Sequence, residues 1–598
     1  MQNDMQNIFQ SLRNEFIIIG LTGALGSGCT TSANFLSGKY SNLNHFFSST
    51  NVDEFNLDYR KNLRVQQYYE NNDWESFFHI RVSDILLLIM LRQIDSFDNF
   101  PMINEFDNKT DSQDTIKVFF KDMDKEAFQN IKKTSETFFD LLNEEPKDIT
   151  MSDVLSEIKK FIDQYIDKKD NTYTKIFQLI GENLRTTGRI YNINSKYIFS
   201  KEIPTYDINN LPIFIIPEII RRTIKYLNRK EKCKFFTIDA LRNIYEIEFF
   251  RNRYQSFYLF SILANEEIRQ KRLYDNFSVN KKNLEDIKTY ETSNKEIEHQ
   301  AINKCIGKGD IFINNSTNIS SHTELNIDLL RYIALIRRPG LFVPSNDERF
   351  MQVAFTARYN SGCISRQVGA VVTGKDGYIR GFGWNDVPED HVPCLYRTPQ
   401  QLLDNSTNQI FSAYERSDTF FQHIENLPSN QKNQPFCFKD NQNSIESAEK
   451  KIKIYKEIEK LSKVPNIDVE KISGYIDSME FKNPTRERAL HAEENSFLQI
   501  TKSGGQGVVG GTLYTTDSPC QLCAKKAMQL KIKRIVYIDA YPDISEKHTL
   551  NAGIEEEWPD LDMFNGVLGA AYFKLYVPII GIKDEIRFIS NVKKETIC

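Results

Sequence analysis

His491-Ala492-Glu493, Thr512-Leu513-Tyr514, Pro519-Cys520-Gln521-Leu522-Cys523 and Arg534-Ile535-Val536-Tyr537 follow one another with two alternating patterns. His491 to Ile500 and Cys520 to Leu530 read as helices, whereas Thr512 to Thr515 and Arg534 to Ile538 are short strand-like runs. Helix, strand, helix, strand is the layout of an α/β layer. The same stretch carries metal-binding chemistry. Cys520 and Cys523 are three apart at a helix start, so both thiols lie on nearly one face, and the positive helix end favours their thiolate forms. One imidazole, from His491, and two thiolates give a tetrahedral Zn²⁺ three ligands and leave a fourth position for water, whose pKa falls toward about 7. Glu493 is the non-ligating carboxylate placed to take that water's proton and pass it on. A closed structural site would normally show four protein ligands, and no obvious fourth stands nearby.

Around this stretch lies a chain of 598 residues, long enough for several domains with sizeable cores. Apolar residues make up 40% and charged residues 26%, the profile of a soluble globular protein. With 76 Lys plus Arg against 81 Asp plus Glu, the net charge is -5, so bulk nucleic acid is not an expected partner. A local basic groove, for a regulatory RNA for example, stays open. Nine cysteines are too few for a disulfide framework in so long a chain and point to a reducing cytoplasm. Met1 to Asn14 is polar and lacks the layout of a signal peptide. Runs such as Ile85 to Leu91 fall short of the about 20 apolar residues that cross a bilayer, so no membrane association is expected.

Along the chain, the strand-like run Phe16 to Leu21 meets a glycine-rich loop and then a helix pattern from Thr30 to Leu36. Strands Phe235 to Ile238 and Phe257 to Leu263 continue a parallel α/β pattern to about Ile313. Asn104 to Lys175 reads as helices with solvated faces, with Ile158, Phe161, Ile162 and Tyr165 at helical spacing. Pro and Gly punctuate Arg337 to Pro344, which places a boundary there: a first domain at 1–340 and a second at 345–598. The second opens with a helix, Asn346 to Tyr359, and a hairpin turning at Gly374-Lys375-Asp376-Gly377. A polar insertion at about 389–486 follows, with a charged helix from Ile445 to Lys463.

The loop Gly23-Ala24-Leu25-Gly26-Ser27-Gly28-Cys29-Thr30 follows the Walker A frame G-x-x-x-x-G-K-[ST] except at Cys29, which stands where the lysine belongs. Glycines let backbone N–H groups converge on phosphate oxygens at the helix start. Gly23, Gly26, Ser27, Gly28, Cys29, Thr30 and Thr31 are therefore nucleotide-binding candidates, with Mg²⁺ reached by Thr30. Without the lysine, binding of a regulatory nucleotide is favoured over phosphoryl transfer.

The H-x-E and P-C-x-x-C elements match the signature of zinc-dependent cytosine and adenine deaminases. Ala357 to Asp539 resembles the deoxycytidylate deaminase branch of the cytidine deaminase superfamily, also through Ser365-Arg366-Gln367-Val368-Gly369-Ala370-Val371-Val372 and Gly383-Trp384-Asn385-Asp386-Val387-Pro388. The resemblance implies a mixed sheet sandwiched by helices, with zinc where two helix N-termini meet. It also implies a homo-oligomer and hydrolytic removal of the cytosine amino group, with Glu493 serving N3 and the leaving ammonia. It makes Asn385 a contact to the sugar, while its residue type alone also fits a plain turn former. Trp384 reads chiefly as core packing. Cys363 and Cys394 match positions that help hold a second zinc in some members, but His423 is the only histidine between Cys394 and His491. Buried free thiols are the reading there. Arg358, Arg366, Lys375 and Arg397 are either phosphate contacts or surface charges.

The first half resembles nucleotide-kinase-like P-loop proteins through Phe236-Thr237-Ile238-Asp239-Ala240-Leu241-Arg242-Asn243 and the strand Asp310 to Asn315, which makes Arg269 and Arg272 lid arginines. A P-loop domain followed by such a deaminase resembles a group of bacterial antiphage defence proteins that convert dCTP and dCMP to their uracil forms. The expected fold is thus α/β throughout. Three other readings stay open: a deaminase editing cytosine in nucleic acid, a nucleotide kinase with an accessory deaminase, and a nucleotide sensor with an inert deaminase-like fold.

Overall fold

Ile17–Thr22 (β1) is buried at every residue, as a strand covered on both faces must be. In the computed structural model it lies inside a six-stranded sheet. The structure describes residues 16–41, 43–47, 54–94, 123–145, 147–166, 171–190, 211–277, 301–316, 323–461, 476, 488–505, 507–539 and 545–587. The chain forms two compact units, Met1–Ser345 with Met563–Cys598, and Asn346–Asp562.

In the first unit, β1 pairs in parallel with Phe235–Asp239 (β3) and Phe257–Leu263 (β4). Phe78–Arg81 (β2) lies outside β3 and Ile311–Asn314 (β5) outside β4, both also parallel. Side chains alternate between the two faces, so Ile18 joins one core with Ile80, Phe236 and Leu259, while Ile17, Ile19 and Leu21 join the other. The Ile18 side is covered by the helices Val82–Gln93, Lys125–Leu142, Met151–Tyr165 and Ile215–Lys230. Met151–Tyr165 begins at a capping box, in which the Thr150 side chain accepts from the Asp153 N–H and Asp153 accepts from the Thr150 N–H. Of the section expected to be helices with solvated faces, 104–122, 146 and 167–170 lie outside the described residues. Ile158, Phe161 and Ile162 are buried, as their spacing requires.

The second domain was expected to run from 345 to 598, but its C-terminal part groups with the first unit. Gly566–Val567 (β11) pairs antiparallel with β5, Phe564 packs edge-on against Phe312 at 5.8 Å, and Val567, Ala571 and Leu575 enter the Ile17 core. Burial of these apolar groups fixes the segment there.

The second unit holds a five-stranded mixed sheet. Gly369–Thr373 (β6) pairs antiparallel with Ile379–Trp384 (β7) and with Thr512–Asp517 (β8), and β8 runs parallel to Arg534–Asp539 (β9). Asp560–Met563 (β10) lies beyond β9. The helix Ala492–Lys502 rests directly on β7. A Cβ at Gly383 would stand 2.6 Å from the Ala492 carbonyl oxygen, so only glycine permits this approach.

The insertion at about 389–486 has its own small core, where Leu402, Phe411, Phe420, Ile424, Phe436 and Phe438 are buried together. Its long helix is Phe438–Leu461; 462–475 and 477–487 lie outside the described residues. Arg397 is fully buried, so neither expectation for it, phosphate contact or surface charge, holds. Its guanidinium pairs with the equally buried Glu415 at 2.7 Å between the rings of Phe411 and Phe436, and Arg488 pairs with the same carboxylate at 2.9 Å.

Candidate functional site

His491 is the N-cap residue of Ala492–Lys502, and Cys520 that of Gln521–Gln529. The two helix starts therefore present their first turns to each other. The Cys520 and Cys523 sulfurs lie 3.3 and 3.5 Å from His491 Nδ1. With Zn–N and Zn–S bonds near about 2.1 and 2.3 Å, tetrahedral geometry sets N···S at about 3.6 Å. The donor set thus fits Zn²⁺ in both chemistry and spacing, and among the described residues it is the one such cluster of His, Cys or acidic groups. Hydrogen bonds from Cys523 and His491 hold the Cys520 thiol down to about 4, which favours the thiolate that a metal ligand must be.

Glu493 is 4% exposed and sits in the first turn, two residues past His491. Burial pushes its carboxyl up to about 7, opposed by its own backbone N–H and by His491. The helix bearing it is held by Asn495 Nδ2, which donates to the Trp384 carbonyl at 2.7 Å, and by an ion pair from Lys526 to Glu494. Neither support was legible in the motif, since amide and charged side chains at exposed-looking positions carry no spacing signal.

Asn385, expected at the sugar, also bonds the backbone. It is 5% exposed, its Nδ2 donates to the Arg366 carbonyl at 2.6 Å, and its Oδ1 accepts from the Val368 N–H at 2.7 Å. Both ends of the amide are used to latch the turn after β7 to the segment entering β6. Asn385→Ala orphans one donor and one acceptor and is expected to cost about 1–3 kcal/mol, read as a lowered thermal midpoint.

Of the remaining phosphate candidates, Arg366 pairs with Asp517 at 3.0 Å, Arg358 lies over the Phe355 ring at 3.8 Å, and Lys375 is exposed. Cys363 and Cys394 are free and half-buried rather than buried, and the Cys394 sulfur accepts from Arg397. Trp384 is likewise half-buried, its Nε1 donating to Asp386 at 3.2 Å.

In the first unit, the glycine-rich loop joins β1 to the helix Cys29–Leu36. Gly26 and Gly28 take φ of 83° and 112°, a region that disfavours side chains, and a Cβ at Gly28 would meet Asn315 Nδ2 at 2.4 Å. Ser27 and Cys29 are buried, Thr30 is exposed and Thr31 half-buried. Arg269 and Arg272, expected in a lid, instead brace the loop. Arg269 donates to the Leu25 carbonyl, and Arg272, 8% exposed, donates to the carbonyls of Gly26, Ser27 and Asn315.

Residues 429–539 match the sequence model of the cytidine and deoxycytidylate deaminase zinc-binding region. The second unit thus carries a zinc-binding deaminase region of that type. The deoxycytidylate deaminase of Enterobacteria phage T4 is 27% identical over 210 residues, 34% of this chain and 85% of that protein. The deoxycytidylate deaminase of Schizosaccharomyces pombe is 24% identical over 260 residues, 43% of this chain and 54% of its own length. Among solved structures, the dCMP deaminase of cyanophage S-TIM5 aligns at 16% identity over 37% of this chain and 100% of its own, with a TM-score of 0.19. Among the described residues, no helix is long and apolar enough to cross a membrane.

Proposed function

We propose that the protein is a zinc-dependent hydrolytic deaminase of deoxycytidine nucleotides, dCMP and dCTP, yielding the deoxyuridine forms and ammonia. The convergence of His491 Nδ1 with the Cys520 and Cys523 sulfurs beside buried Glu493 carries this reading. His491, Cys520 and Cys523 hold the metal, which when bound supplies a water acidified toward neutral pH. Glu493 accepts the proton of the attacking water, delivers it to cytosine N3, and assists the C4 amino group to leave as ammonia. Its buried position keeps bulk water from competing for that proton.

The glycine-rich loop, Gly23 to Thr31, binds a regulatory nucleotide with Mg²⁺, and a homo-oligomer working in the cytoplasm depletes the deoxycytidine nucleotide pool as a defence against phage. The braced loop supports the first part. Similarity of the whole arrangement to such defence proteins supports the second.

Uracil formation on dCMP, dCTP, cytidine and single-stranded DNA tests the substrate class. Turnover of free nucleotides is expected, and conversion confined to DNA would overturn it. Cys520→Ser is expected to lower bound zinc from one per chain to near zero and to abolish deamination, measured by elemental analysis and ammonia release.

A further inference from the structure

We propose a second ligand site in the first unit, distinct from the glycine-rich loop, that takes a nucleoside polyphosphate. A cleft of about 980 Å³ runs along β2, the last strand of the sheet, between that strand and the first turns of Met151–Tyr165. Its size is at the upper end for small-molecule sites. No residue of the glycine-rich loop lines it. The helix Cys29–Leu36, about 12 Å long at 1.5 Å per residue, separates the two, with the loop at its start and the cleft beyond its end at Ser37.

One part of the cleft is aromatic. Tyr40, Trp74 and Phe77 form a chain of ring contacts, Tyr40 to Trp74 at 5.9 Å and Trp74 to Phe77 at 6.2 Å. The polar ends of the first two are already tied down: Trp74 Nε1 donates to the Gly38 carbonyl at 2.9 Å and the Tyr40 hydroxyl to Phe35 at 3.1 Å. Tyr40 and Trp74 pack on one side against the Ile17 core and stay half-buried, so what they expose to the cleft is held in place and meets a planar base at little cost in side-chain entropy.

The rest of the cleft is basic. Lys39, Lys159, Lys232 and Lys234 line it, are exposed, and have no ion-pair partner among the described residues. The acidic lining offsets them only in part. Glu231 is occupied by the Met151 and Ser152 N–H groups and the Ser152 hydroxyl, and Asp84 by Arg81 at 2.9 Å. Neutral donors leave Glu231 its charge, so the Glu75 and Glu231 carboxylates stand against four ammonium groups and the excess is positive. In a chain of net charge -5, a lysine cluster with a net positive excess beside fixed aromatic rings matches an anion carrying a planar ring.

Photolabelling with 8-azido-ATP and peptide mapping tests the site on the full chain. The cross-link is expected in peptides bearing Tyr40 or Trp74, competed by ATP and weakened by salt. The double variant Lys159→Glu with Lys234→Glu changes exposed side chains and is expected to cut that labelling at least about tenfold. Thr30→Ala, in the glycine-rich loop, is expected to leave it unchanged. Labelling absent from these peptides, insensitive to the lysine reversals, or lost equally with Thr30→Ala would overturn the assignment. Competition by inorganic tripolyphosphate as strong as that by ATP would remove the role given to the aromatic wall.

Discussion

Glu493→Gln is expected to lower deamination of dCMP by about 100- to 10,000-fold, the usual contribution of a positioned general acid–base, while zinc stays at one per chain. Glutamine preserves the shape of a side chain that is 4% exposed, so the helix start and the His491 and Cys520 caps should persist. What it cannot do is accept a proton. Because Glu493 is outside the ligand set, metal content separates this role from coordination. Zinc analysis and steady-state ammonia release on one preparation check it. Turnover within about tenfold of the parent would sink the assignment of the proton shuttle, and loss of zinc would make Glu493 a structural support instead.

Arg397→Ala should have the largest effect on stability. It strips a fully buried carboxylate, Glu415, of its 2.7 Å partner and leaves the partly exposed Arg488 and the Ser412 N–H against it. Breaking a buried pair on one side costs about 3–5 kcal/mol, whereas replacing both partners by apolar groups is often neutral. Arg397 also fills the space between Phe411 and Phe436, so its loss opens the small core of the insertion. Limited proteolysis is expected to cut the variant between residues 397 and 438 under conditions where the parent resists. Arg397→Leu with Glu415→Leu is expected to restore most of the resistance. Equal sensitivity of the parent and Arg397→Ala would show that the pair does not hold the insertion.

What could be read from sequence followed the range of the interactions. His491, Glu493, Cys520 and Cys523 occupy short motifs at two helix starts, where spacing alone dictates which groups meet. β1 could be read because a strand covered on both faces is an unbroken apolar run. Longer-range choices left no such trace. Arg397 finds Glu415 across a loop, and an arginine in a polar stretch gives no sign that it will be buried. Asn385 was placed at the sugar by the family resemblance, and its residue type gave no sign that the same amide also bonds the backbone of Arg366 and Val368. Arg272 was read by resemblance as a lid arginine and is a buried brace, since sequence does not say toward which carbonyl a guanidinium turns. The two-residue strand β11 is too short for any periodicity to declare it.

That short strand has a consequence for biogenesis. A ribosome would release residues 346–562 before supplying the last strand and the closing apolar residues of the sheet begun at Ile17. The sheet is thus interrupted in synthesis by the zinc-binding unit, and a polypeptide stopped after residue 345 would leave the outer flank of β5 without its antiparallel mate.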